Sequence, residues 1–205
     1  MFVITADQID SRNRPDIADE TMRELETVLR GGLVLPIDRT AGDEIQMLLK
    51  DAHHALMAIL RLTRDAQWSV GCGIGGVVTP LPANAREAGG TAFVAARDAV
   101  NDAKKRDTGF ALRRGHESPI VAGDAEALID LLLHIRARRS PEGWEIYELM
   151  TAGSTQADAA KHLGITPQAA SKRARAAAIR AEIAAVLPLE RLLASTDDVA
   201  SETDD

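Results

Sequence analysis

Up to about Leu112 the apolar positions of this chain alternate between short β-rich runs and stretches with helical spacing; from Asp124 onward only the helical spacing remains. Phe2 to Ala6 predicts a buried strand. Pro15 opens a helix with Ile17, Met22, Leu25, Val28 and Leu29 on one side, and Gly31-Gly32 end it. Leu33 to Ile37 predicts a second strand, and Thr40-Ala41-Gly42-Asp43 a tight hairpin turn into a third. A helix over about Leu48 to Thr63, a strand over Trp68 to Val78, a helix over Gly90 to Arg106 and a strand over Thr108 to Leu112 complete the set. That alternation predicts a compact sheet covered by helices.

The second half reads as all helix. Ala125 to Arg138 carries Leu128, Leu131, Leu132 and Ile135 on one side, which suits a connector or a dimer-forming helix. Pro141 starts the next helix, with Trp144, Ile146, Tyr147 and Met150. The fold class is α+β: an α/β domain over residues 1–122, a helical domain over 123–194 and an acidic tail over 195–205. The tail holds Asp197, Asp198, Glu202, Asp204 and Asp205 with no base, and is expected to be disordered.

The densest local signal lies between Ser154 and Arg175. Ser154 or Thr155 caps a short helix, and Ala159, Ala160 and Leu163 share a face small enough for another helix to cross closely. Gly164 ends that helix, and Ile165 plugs the turn. Thr166 caps a second helix that begins at Pro167, where the missing N–H costs nothing. Ala170 and Ala174 face inward; Gln168, Ser171, Lys172 and Arg175 face outward. This is the layout of a helix-turn-helix. Gln and Arg make bidentate contacts to adenine and guanine, and Ser and Lys suit phosphates or base edges. The DNA-binding candidates are therefore Thr155, Gln156, Thr166, Gln168, Ser171, Lys172, Arg173 and Arg175.

Charge separates this segment from an ordinary helical hairpin. The 205-residue chain has 24 basic and 31 acidic residues, a net −7, yet Ala159 to Ala181 holds Lys161, Lys172, Arg173, Arg175 and Arg180 and no acid. Such local excess points to a polyanion partner. The rest of the composition excludes more than it selects. Cys72 stands alone, so no internal disulfide forms, and a reducing cytoplasm is expected. No apolar run reaches membrane-spanning length, and the N-terminus lacks the pattern of a signal peptide. His53, His54, His116, His134 and His162 have no zinc-site spacing.

Two features suggest chemistry in the first half. Asp7 and Asp10 end the first strand, and Asp43 and Glu44 sit at the hairpin; gathered at one end of a sheet, carboxylates make a hard oxygen site for Mg²⁺. Asp is also favoured in turns for conformational reasons alone. Gly71-Cys72-Gly73-Ile74-Gly75-Gly76 contains G-x-G-x-x-G, but Val77-Val78-Thr79-Pro80 follows instead of a helix. Strand glycines that admit a close neighbour, backbone or ligand, are the better reading.

The ordered segments "ITADQIDSR", "AGDEIQMLL", "WSVGCGIGG" and "GTAFVAARDAVNDAKK" resemble the class III nucleotidyl cyclase and GGDEF superfamily, in particular its SatD-type members, over about residues 1–112. The resemblance implies a ferredoxin-like α/β sandwich with a nucleotide site at the ends of the first strand and the hairpin. It places Asp7 and Asp43 as metal-binding acids, Arg97 and Lys104 as phosphate-binding groups, and Mg²⁺ with a nucleotide as the ligand. Cyclases carry an asparagine where Phe93 stands, and the base-contacting residues of the GGDEF first helix have no counterpart in Asn13 to Arg30. The expectation is a degenerate sensing or dimerisation domain, not an efficient enzyme. "TQADAAKHLGITPQAASKRARAA" is similar to the helix-turn-helix of bacterial regulators. The expected protein is a cytoplasmic, dimeric, DNA-binding transcription regulator with a nucleotide or other small effector. The alternatives are a cyclase-type phosphoryl-transfer enzyme fused to a DNA-binding domain, and a module whose basic helix contacts an acidic protein.

Overall fold

The computed structural model describes residues 1–115 and 119–201. His116 and residues 202–205 of the acidic tail lie outside them. The fold is α+β, and the chain divides into two compact units: Met1–Asp130 with Leu189–Asp205, and Leu131–Pro188.

The first unit is built on a five-stranded mixed sheet of β1 (Phe2–Gln8), β2 (Asp38–Ala41), β3 (Glu44–Leu49), β4 (Trp68–Ile74) and β5 (Phe110–Arg114), in the order β2-β3-β1-β4-β5. β1 is central and antiparallel to both β3 and β4; β4 and β5 run parallel. The edge strand differs from the expected one. Leu33 to Ile37 makes only a single bridge, Leu33 to Leu49, and β2 begins after it. Leu35 and Ile37 are buried as loop residues, which explains their apolar character without strand pairing. The hairpin turn falls at Gly42, whose φ of 58° suits glycine.

Pairing register fixes which side chains share a face, because directly opposed residues project together. Phe2, Ile4 and Ala6 share one face with Met47, Leu49, Val70, Cys72 and Ile74, all fully buried or nearly so. Helices α1 (Ala18–Val28) and α2 (Ala52–Leu62) cover this face with Leu25, Leu56 and Ile59, together with Leu29 at the C-cap of α1. The amide of Gln8 clamps the approach to α1, donating to the Pro15 carbonyl at 2.7 Å and accepting from the Ile17 N–H at 3.3 Å. So α1 begins at Ala18, three residues beyond Pro15. Likewise α2 starts at Ala52, not Leu48, because Leu48 and Leu49 pair in β3 and Asp51 caps the helix through the His54 N–H at 2.9 Å.

The opposite face carries Val3, Thr5 and Asp7, with Leu48, Gln46 and Glu44 beside them on β3 and Gly73, Gly71 and Ser69 on β4. Helix α3 (Thr91–Ala103) packs on it, with Ala92, Phe93 and Ala96 against Val3 and Leu48. A Cβ at Gly71 or Gly73 would lie within 3.0 Å of α3 backbone atoms at Ala92, Ala96 and Val100. The glycine-rich strand therefore serves close helix approach. β4 ends at Ile74, short of Val78.

Helix α4 (Pro119–Ala137) buries Ala125, Ile129, Leu132, Leu133 and Arg136. The expected apolar side is rotated: Leu128 and Leu131 are exposed by 48% and 57%. The boundary expected near Gly123 falls instead inside this helix, between Asp130 and Leu131. α8 (Ile179–Ser201) also passes from one unit into the other, so Leu189 onward belongs with the sheet rather than with a domain ending at 194. The expected disorder from Ser195 is contradicted as far as Ser201. Thr196 is fully buried, and Asp197 pairs with the Met1 amine.

The second unit contains α5 (Pro141–Thr151), α6 (Gln156–His162) and α7 (Pro167–Ala176) around Ile146, Ala159, Ala160, Ala170, Ala174, Ala177 and Ile179. Ser140, Thr155 and Thr166 cap these three helices in turn.

Candidate functional site

Two surfaces collect the residues that sequence singled out. The first is the exposed side of α7. Small residues on its inner side, Ala170 and Ala174, let the helix sit close to its neighbours, and the turn before it is held by Gly164 at φ 63° and by the Ile165 N–H donating to the Ala160 carbonyl at 3.0 Å. Gln168, Lys172 and Arg175 recur every four and three residues and form one exposed stripe. Among the described residues neither Lys172 nor Arg175 makes an ion pair, and the same is true of Lys161 and Arg180. Arg173 differs: it is partly buried and lies 3.6 Å from Glu145.

The two threonines proposed to touch DNA already have local partners. The Thr155 hydroxyl donates to the Asp158 carboxylate at 2.6 Å and accepts from the Asp158 N–H at 3.1 Å, a capping box that holds the Asp158 carboxyl below its usual range. Thr166 accepts from the Ala169 N–H at 3.2 Å. Gln156, Ser171, Arg175 and Arg180 line a groove of about 330 Å³ with an alanine floor. Arg180 was absent from the sequence-derived site; its place just after the turn that follows α7 brings it there.

The same helical unit holds a buried ionic cluster that sequence reasoning missed. Glu182 is 1% exposed and receives Arg136, Arg139 at 2.7 Å and the Tyr147 hydroxyl at 2.8 Å. Arg139 also donates twice to the Ala177 carbonyl, at 3.0 and 2.8 Å, and sits 4.4 Å from the ring centres of Trp144 and Tyr147. Burial and the neighbouring Glu182 carboxylate push the Tyr147 phenol above its ordinary pKa. This cluster ties the end of α7 to α4, α5 and α8. Its only sequence signal was Arg136 and Arg139, three apart at a helix end otherwise rich in leucine.

The second surface is on the α3 face of the sheet. The structure joins Asp7 and Lys104, with Nζ to Oδ2 at 2.7 Å. Arg97 is two helical turns earlier on α3, exposed and without an ion pair among the described residues. It lines a groove of about 660 Å³ with Thr40, Glu44, Gln46, Arg86 and Phe93. Glu44 is held by the Thr40 hydroxyl and Gln46 by Thr5. Asp43 stays in the turn, where its carbonyl accepts from the Gln8 N–H at 3.3 Å. The expected metal centre does not fit this arrangement. Asp7 already has an ammonium on its carboxylate, and no group of three acids, histidines or cysteines suited to a metal occurs among the described residues. Thr40, Gln46 and Arg86 were missed by sequence; a polar Gln46 on a strand otherwise buried and apolar was the available clue.

No protein-family model, curated protein or solved structure matches the chain. No described helix is long and apolar enough to cross a membrane.

Proposed function

We propose that α6, the Gly164 turn and α7 form a helix-turn-helix, and that the protein is a dimeric, DNA-binding transcription regulator. The observation that carries this reading is the α7 stripe of Gln168, Lys172 and Arg175, exposed and, among the described residues, without an acid on either cation. In a chain of net charge −7, leaving these cations unpaired has no structural use, whereas a phosphate backbone rewards it. Arg175 reads a base edge, Gln168 a second, and Lys172 a phosphate. Thr155 and Thr166 act mainly by presenting the two helix N-termini, and Arg173 reaches DNA only by leaving Glu145. The strand order and the crossover helices support a ferredoxin-like, cyclase-like sheet unit. In it the groove beside β3 takes a small effector through Arg97, Gln46 and Glu44. With Asp7 neutralised by Lys104, that unit senses and does not catalyse.

The test is selection of bound duplexes from random or genomic fragments, followed by titration across a salt series. Arg175→Ala is expected to weaken the selected site by about 1–3 kcal/mol and to relax preference at one position. Lys172→Ala is expected to weaken all duplexes alike and to reduce the salt slope by about one. Retention of parental binding to every duplex by both variants overturns the reading.

A further inference from the structure

The exposed side of α4 has an order that a solvated helix does not need. Asp124, Leu128, Leu131, Ile135 and Arg138 recur in alternating steps of four and three residues, the spacing of a seam between two helices. Leu128 and Leu131 are 48% and 57% exposed, Ile135 is half-buried, and Asp124 and Arg138 are exposed. Arg138 stands in the turn just after the helix, its N–H still on the Ile135 carbonyl at 3.3 Å. Among the described residues neither Asp124 nor Arg138 has an ion-pair partner.

The stripe is self-complementary when reversed. Asp124 and Arg138 lie equally far on either side of Leu131, and Leu128 and Ile135 nearly so. Two copies of α4 laid antiparallel with Leu131 on the two-fold axis bring Leu131 to Leu131, Leu128 to Ile135 of the other copy, and Asp124 to its Arg138, twice. The parallel arrangement puts like charges together at both ends.

α8 also exposes two large apolar residues one turn apart, Ile183 and Leu187, by 51% and 52%. Its flanks have the wrong charges. Antiparallel pairing of α8 with itself sets Arg180 beside Arg191 of the other copy and near a Glu190 already held by His53, and Pro188 interrupts the face. The two stripes are alike in apolar exposure, and charge decides between them.

We propose that the face of α4 formed by Asp124, Leu128, Leu131, Ile135 and Arg138 is an isologous homodimer interface, occupied by the same face of a second copy of this chain in antiparallel register. It supplies the two-fold symmetry that the DNA-binding reading calls for, and only its use rests on that reading. The dimer itself forms without DNA. A seam this short buries area at the low end for specific interfaces, so dissociation is expected in the micromolar range.

Sedimentation of the full-length protein without DNA, over a concentration series, tests it. The parent is expected to move from monomer to dimer. Leu131→Glu sets two carboxylates at the axis and is expected to raise the dissociation constant at least ~30-fold. Because Leu131 is exposed, its circular dichroism melt should match the parent. Asp124→Arg is expected to weaken the dimer roughly fivefold, and Asp124→Arg with Arg138→Asp to restore it. A parent that stays monomeric overturns the proposal. So does a dimer untouched by Leu131→Glu but broken by Ile183→Glu, or a charge reversal that the double exchange fails to rescue. Failure of DNA binding with the dimer intact would instead remove only the function proposed for α7.

Discussion

Glu182→Ala is expected to unfold the helical unit under conditions where the parent is stable. The substitution leaves Arg136 and Arg139 buried without their carboxylate and removes the acceptor of the Tyr147 hydroxyl. Breaking a buried ion pair by deleting one partner costs about 3–5 kcal/mol, a large share of the stability of any small unit. Arg139 keeps its two bonds to the Ala177 carbonyl, so the loss should fall nearer the lower figure. Glu182→Gln retains an acceptor for Tyr147 and should be milder. Trp144 stacks on both guanidiniums and reports the event directly. Urea unfolding followed by its fluorescence, in a Trp68→Phe background, gives the number. A Glu182→Ala midpoint equal to the parent's would mean that the cluster contributes nothing net.

The next largest effect is expected at Gly73. Its added methyl group would fall within 3.0 Å of the Ala92 carbonyl oxygen and the Ala96 nitrogen, both backbone, so no side-chain rotation relieves the clash. Helix α3 must retreat from the sheet, opening the layer of Ala92, Phe93 and Ala96 against Val3 and Leu48. Gly73→Ala should cost about 3 kcal/mol, the upper end for overpacking. Gly123→Ala is the matched control: nothing lies within 4 Å of a Cβ there, and an exposed helical position should gain up to about 1 kcal/mol from losing glycine. Equal melting temperatures for the two variants would show that α3 yields freely.

The contrast between Gly73 and Glu182 also shows where the chain was readable. Short β-rich runs such as Phe2 to Ala6, and caps such as Thr155 and Thr166, announce themselves because strand burial and orphan N–H groups are local requirements. The exposed stripe on α7 was legible for the same reason: Ala170 and Ala174 define its back. Leu33 to Ile37 misled because burial in a covering loop selects the same residues as burial in a strand. α4 misled more instructively. Its two apolar stripes overlap in sequence, and only tertiary contact decides that Ile129 and Leu133 go inward while Leu128 and Leu131 do not. The pairing of Asp7 with Lys104, and of Glu182 with two arginines, joins residues nearly a hundred and over forty positions apart. No spacing rule reaches that far. The acidic tail looked disordered by composition, yet Thr196 is buried on the end of a helix, since a few apolar anchors outweigh a run of acids.

Cys72 sits in the middle of β4, fully buried, its thiol pushed up to about 12 by desolvation. The protein thus carries its own chemical stopwatch. A disulfide-exchange reagent can reach this sulfur only while the helical layer over its face of the sheet opens, so the labelling half-time of the native protein measures how readily it opens. That interval should shorten when α3 is forced off the sheet and the unit loses stability.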